Sequence, residues 1–433
     1  MKRRTFLRGV GALAGGLAAR PGAVRAEGQA QAGPPLPAPT DPDLWPAVRR
    51  QFQLPADLAY LNTAGLGASP RAVTNTLVEW TDREEANPAA GHNEADWTRI
   101  RTACARVLGP SCGEDEVAFV STATEGINAI LNTIPLSRGD EIITSTHEHA
   151  SLVIALLHRV NTLGVAVRTF EPDLAQARGN VDRVAALVTP RTKLIFVSHV
   201  TTTTGQIMPA AGIAAIAEAR GIAFALDGAQ SFAHIPFDIS ATGAHYYTAS
   251  CHKFLLAPKR TGLLYVRKDR LATAVPAVVG TYSDLASSLP DRTLTLRPGA
   301  QRFEYGTQND ALIYGIESAI AFLSAIGMPV IWARNQAMAE RTVEGLRRIA
   351  GVTLLSPSEA TARSAIITFT LPGRDNRQVA SDLMRRRLRV RSVTEGGLDA
   401  VRVSYHVYNN EAEVDRLLAG VAEIARAPRG SHA

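Results

Sequence analysis

Short apolar runs alternate with longer segments of helical periodicity along most of the chain. The apolar runs predict seven strands, at 117–120, 141–145, 165–170, 194–198, 222–226, 245–248 and 262–266. Apolar positions at helical spacing separate several of these runs, for example at 126–133, 151–163 and 210–220. This order predicts an α/β fold in which a mainly parallel seven-stranded sheet carries helices on both faces.

The pattern changes after residue 310. A helical stretch at 310–326 is followed by a strand at 365–370, a helix at 378–387, a strand at 401–404 and a helix at 410–425. We therefore predict a smaller α+β C-terminal domain at 311–427, after an N-terminal segment at 45–70 and a large domain at 71–310. Residues 428–433 form a short tail.

The N-terminus combines three features in order: the basic run Lys2-Arg-Arg-Thr-Phe-Leu-Arg8, a Gly/Ala-rich apolar stretch at 9–19, and small residues that end at Ala26. This order resembles a twin-arginine (Tat) export signal, and it predicts a signal peptide at 1–26 and a Pro-rich linker at 27–44. The resemblance implies a periplasmic protein, exported folded by the Tat translocon. The apolar stretch is too short and Gly-rich to predict stable membrane insertion. A disordered basic tail is the alternative.

Charge and cysteine usage narrow the function classes. The chain has 46 basic and 40 acidic residues, but the predicted signal holds six of the basic ones and no acid, so 40 of each remain. This balance gives no electrostatic case for binding nucleic acid. Three cysteines make no disulfide framework, although Cys104 and Cys112 could pair, and no ligand spacing predicts a metal.

Asp227 and Lys253 carry the clearest chemistry, because each follows a predicted strand. A lysine that forms a Schiff base, beside a carboxylate that keeps a pyridine nitrogen protonated, is what pyridoxal phosphate (PLP) requires. The apolar neighbours at 254–256 favour a lowered amine pKa for Lys253. The structural alternatives are a helix N-cap for Asp227 and an ordinary surface position for Lys253.

Three other segments have both a functional and a structural interpretation. Thr122-Ala-Thr-Glu-Gly126 opens a helix and could bind a phosphate or form a capping box. His149 follows the strand at 141–145 and could stack on a pyridine ring or serve as a structural residue. Arg402 interrupts an apolar strand, where a bound carboxylate or an internal salt bridge would satisfy it equally well.

Taken together, the motifs resemble the class-V aminotransferase group of PLP enzymes, which has fold type I. The matching stretches are Leu61-Asn-Thr-Ala-Gly65, Ala123-Thr-Glu-Gly-Ile-Asn128, Gly139-Asp-Glu-Ile-Ile143, Glu148-His-x-Ser151, Ser198-His-Val with Thr204-Gly205, Asp227-Gly-Ala-Gln230, Ser250-x-His-Lys253, Arg302-Phe-Glu-x-Gly-Thr307 and Val401-Arg-Val-Ser404. The resemblance runs from about residue 60 to 418, and the isopenicillin N epimerase-like branch is the more similar one.

The resemblance implies the following roles. Lys253, Asp227 and His149 would be catalytic. Ala123, Thr124, Ser250 and His252 would hold the phosphate, and Gln230 would donate to the ring hydroxyl. Thr307 would reach the phosphate of the partner subunit in a homodimer. Arg402, with Arg391 as a weaker candidate, would bind a substrate carboxylate, and Asn62 and Thr202 would lie beside the substrate.

Two departures bear on the reaction. The loop at 392–399 lacks the nucleophilic cysteine of a desulfurase, and Thr202 stands where the group often has Asn. We therefore expect a periplasmic PLP enzyme that acts on the amine of an amino acid or peptide, by transamination, epimerisation or side-chain modification, with siderophore peptides as one substrate class. The alternatives are a PLP-dependent C–S or C–N lyase and a non-catalytic binding protein with the same fold.

Overall fold

The computed structural model describes residues 36–88 and 92–427. The predicted signal peptide, the first part of the linker and the predicted tail lie outside the described residues.

The helices carry the large domain's outer layers and most of the C-terminal part. They are α1 Leu44–Arg50, α2 Arg71–Ala86, α3 Glu94–Leu108, α4 Ala123–Thr133, α5 Ala150–Leu163, α6 Gly179–Leu187, α7 Ala210–Ala219, α8 Ile239–Thr242, α9 Asp310–Ile326, α10 Met328–Arg347, α11 Asn376–Arg385 and α12 Glu411–Arg426. Within the described ranges no single helix is long and apolar enough to cross a membrane; α9 and α10 together reach that length and composition, but they bend by 76° at their junction.

The strands form one large and three small sheets. They are β1 Ala59–Tyr60, β2 Val117–Val120, β3 Glu141–Ser145, β4 Ala166–Phe170, β5 Thr192–Ser198, β6 Ala223–Asp227, β7 Tyr246–Ser250, β8 Gly262–Val266, β9 Asp284–Ser288, β10 Thr293–Leu296, β11 Thr353–Leu354, β12 Ile366–Thr370, β13 Leu388–Arg389, β14 Arg391–Val393 and β15 Ala400–Ser404.

The central sheet has the order β2-β8-β7-β6-β5-β3-β4. Only β8 runs antiparallel to its neighbours, so the prediction of a mainly parallel seven-stranded sheet is confirmed. Both faces are buried, since alternate residues of one strand enter different cores: Ile195 packs in one and Phe196 in the other. This two-sided burial explains why the strands appear in the sequence as continuous apolar runs.

The C-terminal part contains an antiparallel sheet with the order β11-β12-β15-β14. Helices α10, α11 and α12 pack against it around residues such as Phe369, Val403 and Leu417. The predicted smaller α+β domain is therefore present. The chain's N-terminal segment joins it, because β1 pairs in parallel with β13, and Asn62 forms a bridge to Ser404.

The short strands and several helices were not predicted, and helix α10 and the hairpin β9–β10 show why. Helix α10 carries many charged residues between its buried positions, among them Ile331 and Val343. The hairpin β9–β10 pairs only with itself and leaves Leu285 and Leu294 more than half exposed, so it lacks the alternating burial that marks a strand in sequence.

Candidate active site

The site lies where β6 and β7 end side by side. Asp227 is the last residue of β6 and is paired in register with Thr248 of β7, and Lys253 follows the end of β7 by three residues. A cavity of about 820 Å³ opens at this edge of the sheet. Ten of the thirteen predicted site residues line it: Asn62, Ala123, Thr124, His149, Thr202, Asp227, Ser250, His252, Lys253 and Arg391.

Lys253 is buried, and its neighbours Phe254, Leu255 and Leu256 are almost fully so. Burial lowers the pKa of its amine to about 8, although the nearby Asp227 carboxylate opposes the shift. The N-terminal segment packs closely against the Lys253 backbone: a Cβ at Gly67 would lie 2.1 Å from the Lys253 carbonyl oxygen. The lysine is thus held in an apolar setting with a substantial neutral fraction near neutral pH.

Asp227 faces the same cavity. Its Oδ1 accepts a hydrogen bond from the Ala229 backbone N–H at 2.9 Å, and the residues that follow form turns instead of an α-helix, so the N-cap alternative is wrong. Burial raises the pKa of this carboxyl, and Lys253 opposes that rise. The carboxylate has one hydrogen-bond donor among the described residues, which leaves Oδ2 for a cationic partner in the cavity.

His149 is the N-cap of α5. Its Nδ1 accepts from the Ser151 backbone N–H at 3.1 Å, which fixes the neutral tautomer with its proton on Nε2. Burial, together with the nearby Lys253 and Arg391, lowers the pKa of this imidazole to about 4. A neutral, flat ring at the cavity wall suits stacking on a pyridine, as the sequence predicts.

The N-terminus of α4 lies on another side of the cavity. Ala123 N–H donates to Ser250 Oγ at 3.2 Å, and Thr124 Oγ1 donates to Ser151 Oγ at 2.9 Å. Thr122 Oγ1 accepts from Glu125 N–H, so a side-chain cap and a cavity-facing helix terminus coexist in this segment. His252 lines the cavity beside it, and its buried Nδ1 has no hydrogen-bond partner among the residues that the structure describes.

Arg402 is fully buried on β15 and has no carboxylate within salt-bridge distance among residues 36–88 and 92–427. Its Nη1 donates to the carbonyl oxygen and to Oγ1 of Thr202, at 2.7 and 2.8 Å, and Nη2 donates to Asn62 Oδ1 at 3.2 Å. Burial, with nearby Arg391, lowers its pKa to about 9, and its Nε is without a partner. The internal salt bridge left open by the sequence is therefore not formed.

The remaining predicted residues are placed differently. Arg391, the first residue of β14, lines the cavity but is ion-paired with Glu395, which follows the end of that strand. Gln230 lies behind the lining, where its amide donates to Thr202 Oγ1 and to the Ala64 carbonyl oxygen, and its role toward the ring hydroxyl stays a prediction. Thr307 lines a different cavity of about 520 Å³ within the same subunit.

Several lining residues were not predicted. Tyr60, Met384 and Arg389 form part of the cavity wall. The pairing of β1 with β13, more than 300 residues apart, brings Tyr60 and Arg389 side by side, and Met384 lies on α11 just before β13. Glu148 lies behind the cavity, and it was visible in the sequence only as part of a motif. It is buried, accepts hydrogen bonds from Ser145 and Ser198, and burial raises its pKa to about 7.

The three cysteine thiols lie outside the cavity beside Lys253. All three cysteines are free, Cys104 and Cys251 are fully buried, and burial raises the pKa of each thiol. None of them lines the cavity beside Lys253. No group of three or more metal-ligating side chains occurs in the described part of the chain.

These residues fit PLP. A buried lysine and a buried carboxylate share one cavity, a neutral histidine forms its wall, and the unpartnered Nδ1 of His252 lies beside a helix N-terminus where a phosphate would be stabilised. The profile of the family Aminotransferase class-V matches residues 59–417. The chain belongs to the class-V aminotransferase family. Its cofactor is PLP. Lys253, Asp227 and His149 line the cavity that would hold it.

Relatives and solved structures agree with this assignment. The chain is 29% identical to a cysteine desulfurase of Klebsiella pneumoniae subsp. pneumoniae over 85% of this chain and 94% of the relative. It is 27% identical to a probable cysteine desulfurase 2 of Mycobacterium leprae, over 87% and 94%. The apo cysteine desulfurase of Thermococcus onnurineus superposes with a TM-score of 0.77 at 24% identity, covering 88% of this chain and 98% of that one. This likeness confirms fold type I. The isopenicillin N epimerase-like branch stays a prediction.

Proposed function

We propose that this protein is a PLP-dependent lyase that breaks a C–S or C–N bond in a carboxylate-bearing amino acid. The observation that carries the proposal is the buried Arg402, which forms no salt bridge with any described residue. It lies directly behind Thr202 and Asn62, which line the Lys253 cavity. A guanidinium in this state is stabilised by a bound carboxylate. The cysteine desulfurase relatives, whose name denotes removal of sulfur from cysteine, favour the C–S bond.

Each cavity residue has a distinct role in the proposed reaction. PLP, when bound, supplies an electron sink for the bonds at the substrate Cα. Arg402 holds the carboxylate and thereby orients the amino acid. Lys253, whose pKa is about 8, is able to take a proton from Cα near neutral pH. Asp227 would stabilise a positive charge on the cofactor, and the neutral ring of His149 at the cavity wall would be available to stack on it.

Sulfur transfer through a protein thiol is not part of the proposal. Such transfer needs an accessible thiolate near the substrate, whereas the three thiols lie outside the cavity lining and have raised pKa values. The sulfur should therefore leave as a small thiol. With cysteine, the balanced products are pyruvate, ammonia and hydrogen sulfide, with one water consumed.

Product analysis tests the proposal. Holoenzyme is incubated with cysteine, cystine and 2,3-diaminopropionate, and keto acid, ammonia, thiol and alanine are measured. With at least one substrate we expect pyruvate and ammonia, in equal amounts from cysteine or cystine and in a one-to-two ratio from 2,3-diaminopropionate. The yield should be the same from a variant with Cys104, Cys112 and Cys251 changed to Ser. Alanine formation that depends on a cysteine would contradict the lyase and indicate a desulfurase. Loss of turnover in Arg402→Gln, with cofactor retained, is expected as well.

A second candidate follows the sequence more closely. The enzyme would act on the amine of a larger, peptide-linked amino acid by transamination, epimerisation or side-chain modification, in the periplasm after Tat export. The cavity of about 820 Å³ has to hold PLP together with the substrate, and a volume near the upper end of the range for ligand sites leaves room for a peptide-linked amino acid. Transfer of the amino group to a 2-oxo acid in place of pyruvate release would support this candidate. For export, Arg3→Lys with Arg4→Lys should keep the folded holoenzyme in the cytoplasm.

A further inference from the structure

Arg389 lies at the wall of the cavity on a firmly held piece of backbone. It is the second residue of β13, which pairs with β1 so that Arg389 stands opposite Tyr60. The Leu61 N–H donates to the Arg389 carbonyl oxygen at 2.9 Å, and the Ala59 N–H donates to that of Arg387 at 3.0 Å. Both Tyr60 and Arg389 line the cavity. The two-residue ladder thus fixes the backbone from which the Arg389 side chain extends at the cavity wall.

The arginine-rich segment around Arg389 shows a contrast in pairing. Arg386 pairs with Glu423, Arg387 with Asp57 and Arg391 with Glu395. Arg389 pairs with no carboxylate in the part of the chain that the structure describes, and its side chain reaches only the sulfur of Met384, at 3.9 Å. Arg389 and Arg391 both line the cavity, but only the charge of Arg389 is left uncompensated by the described acidic residues.

Tyr60 is a neighbour of both uncompensated arginines. Its hydroxyl donates to the Leu66 carbonyl oxygen at 2.8 Å, and its own burial raises its pKa. Arg389 and Arg402 both oppose that rise, so both guanidinium groups lie within electrostatic reach of one ring. Arg402 is fully buried and Arg389 is exposed, and the space beside Tyr60 therefore runs from an inner cation to an outer one.

We propose that Arg389 forms an outer anion subsite, and that the substrate is an amino acid with a second carboxylate at the far end of its side chain or leaving group. The proposal rests on the proposed function of Arg402, which takes the first carboxylate. Two kinds of substrate supply this chemistry: a short acidic amino acid, and a longer thioether or disulfide whose leaving group ends in a carboxylate. The distance between the carboxylates separates them.

Unreactive dicarboxylates measure that distance directly. Binding of succinate, glutarate, adipate and pimelate to the holoenzyme is measured by calorimetry, each against the monocarboxylate of equal carbon number. We expect one dicarboxylate to bind about fivefold tighter than its monocarboxylate, a gain suited to an exposed ion pair, and to lose that gain at high salt. An optimum at succinate or glutarate indicates an acidic amino acid, and one at adipate or pimelate indicates the longer side chain.

Single variants distinguish the contributions of Arg389 and Arg402 to ligand binding. In Arg389→Gln the dicarboxylate should bind no tighter than the monocarboxylate, while monocarboxylate binding is unchanged. The matched control is Arg386→Gln, which removes a charge three residues away outside the cavity lining and should keep the full gain. Arg402→Gln should weaken both ligand classes, and equal binding there would contradict the proposed function itself. A gain that persists in Arg389→Gln, or no gain at any length, overturns the outer subsite alone.

Discussion

Burial sets the chemistry of the charged side chains around Lys253. The amine and the Arg402 guanidinium have lowered pKa values, whereas the Asp227 and Glu148 carboxyls have raised ones, and in each case burial is the largest cause. A cavity built this way favours neutral groups until a ligand supplies opposite charge. The cofactor's pyridine nitrogen and the substrate carboxylate are the charges that it lacks.

Lys253→Ala should abolish covalent retention of PLP, since no other amine lines the cavity among the described residues. The measurement is the absorbance of the protein after borohydride reduction and desalting. Lys259→Ala is the matched control, because its Nζ donates to the Gly67 carbonyl oxygen at 3.0 Å, close by but outside the cavity lining. Wild-type retention of reduced cofactor in Lys253→Ala would contradict the assignment.

The lowered pKa of Lys253 predicts how PLP uptake by the apoprotein depends on pH. The neutral amine is the nucleophile, so with a pKa of about 8 the uptake rate should rise roughly tenfold for each pH unit below 8 and level off above it. An ordinary lysine would keep accelerating to about pH 10. Stopped-flow absorbance between pH 6.5 and 10 distinguishes the two, and continued acceleration beyond pH 9 would refute the burial effect.

At the scale of elements, the ends of neighbouring strands bring the site residues together. The sequence predicts such strands where both of their faces are buried, because they then appear as continuous apolar runs. The predicted strands β2, β3 and β8 have the observed bounds, and Asp227 and Lys253 were found from their position after apolar runs. Arg389 could not be found this way. It reaches the cavity because β13 pairs with β1, a two-residue ladder between distant segments that no local pattern encodes.

The approach of the N-terminal segment to Lys253 allows a test at this scale. A methyl group in Gly67→Ala would lie 2.1 Å from the Lys253 carbonyl oxygen and 2.8 Å from Leu256 Cδ2, so one of the two loops must move. We expect a folded protein that loses PLP at least about tenfold faster, because small displacements at a site cost catalysis and binding steeply. Ser69→Ala, on the same segment, removes one hydrogen bond without adding bulk and should keep the cofactor. Normal retention in Gly67→Ala would show that the approach is not needed.

At the scale of the whole molecule, the N-terminus of α4 separates two cavities. Thr122 and Thr124 line the one that holds Lys253, whereas Ser121 and Glu125 line the second, together with Thr307. Near the Thr307 loop, the chain exposes Val275, Val278 and Val279, and a Cβ at Gly280 would lie 3.8 Å from the Gly306 nitrogen. An apolar surface of this kind is typical of a subunit interface. Sequence resemblance predicted that Thr307 acts in the partner's site, and one subunit alone leaves that prediction untested.

Mixed dimers decide which site Thr307 serves. Thr307→Val alone should release PLP about tenfold faster than wild type, the effect of losing one hydrogen bond to a phosphate.

The first heterodimer joins a Lys253→Ala subunit to a Thr307→Val subunit. If Thr307 acts across the dimer, one of its two sites has both Lys253 and Thr307, and half the sites should retain PLP as in wild type. If Thr307 acts within its own subunit, that heterodimer has no intact site. The reciprocal heterodimer joins a wild-type subunit to a subunit with both Lys253→Ala and Thr307→Val, so it has one site with a lysine. That site should release PLP fast if Thr307 acts across the dimer, and as slowly as wild type if Thr307 acts within its own subunit. Two affinity tags isolate the heterodimers, and PLP release is followed by absorbance. Fast release from the first pair and slow release from the second would place Thr307 in its own subunit's site and refute the shared one.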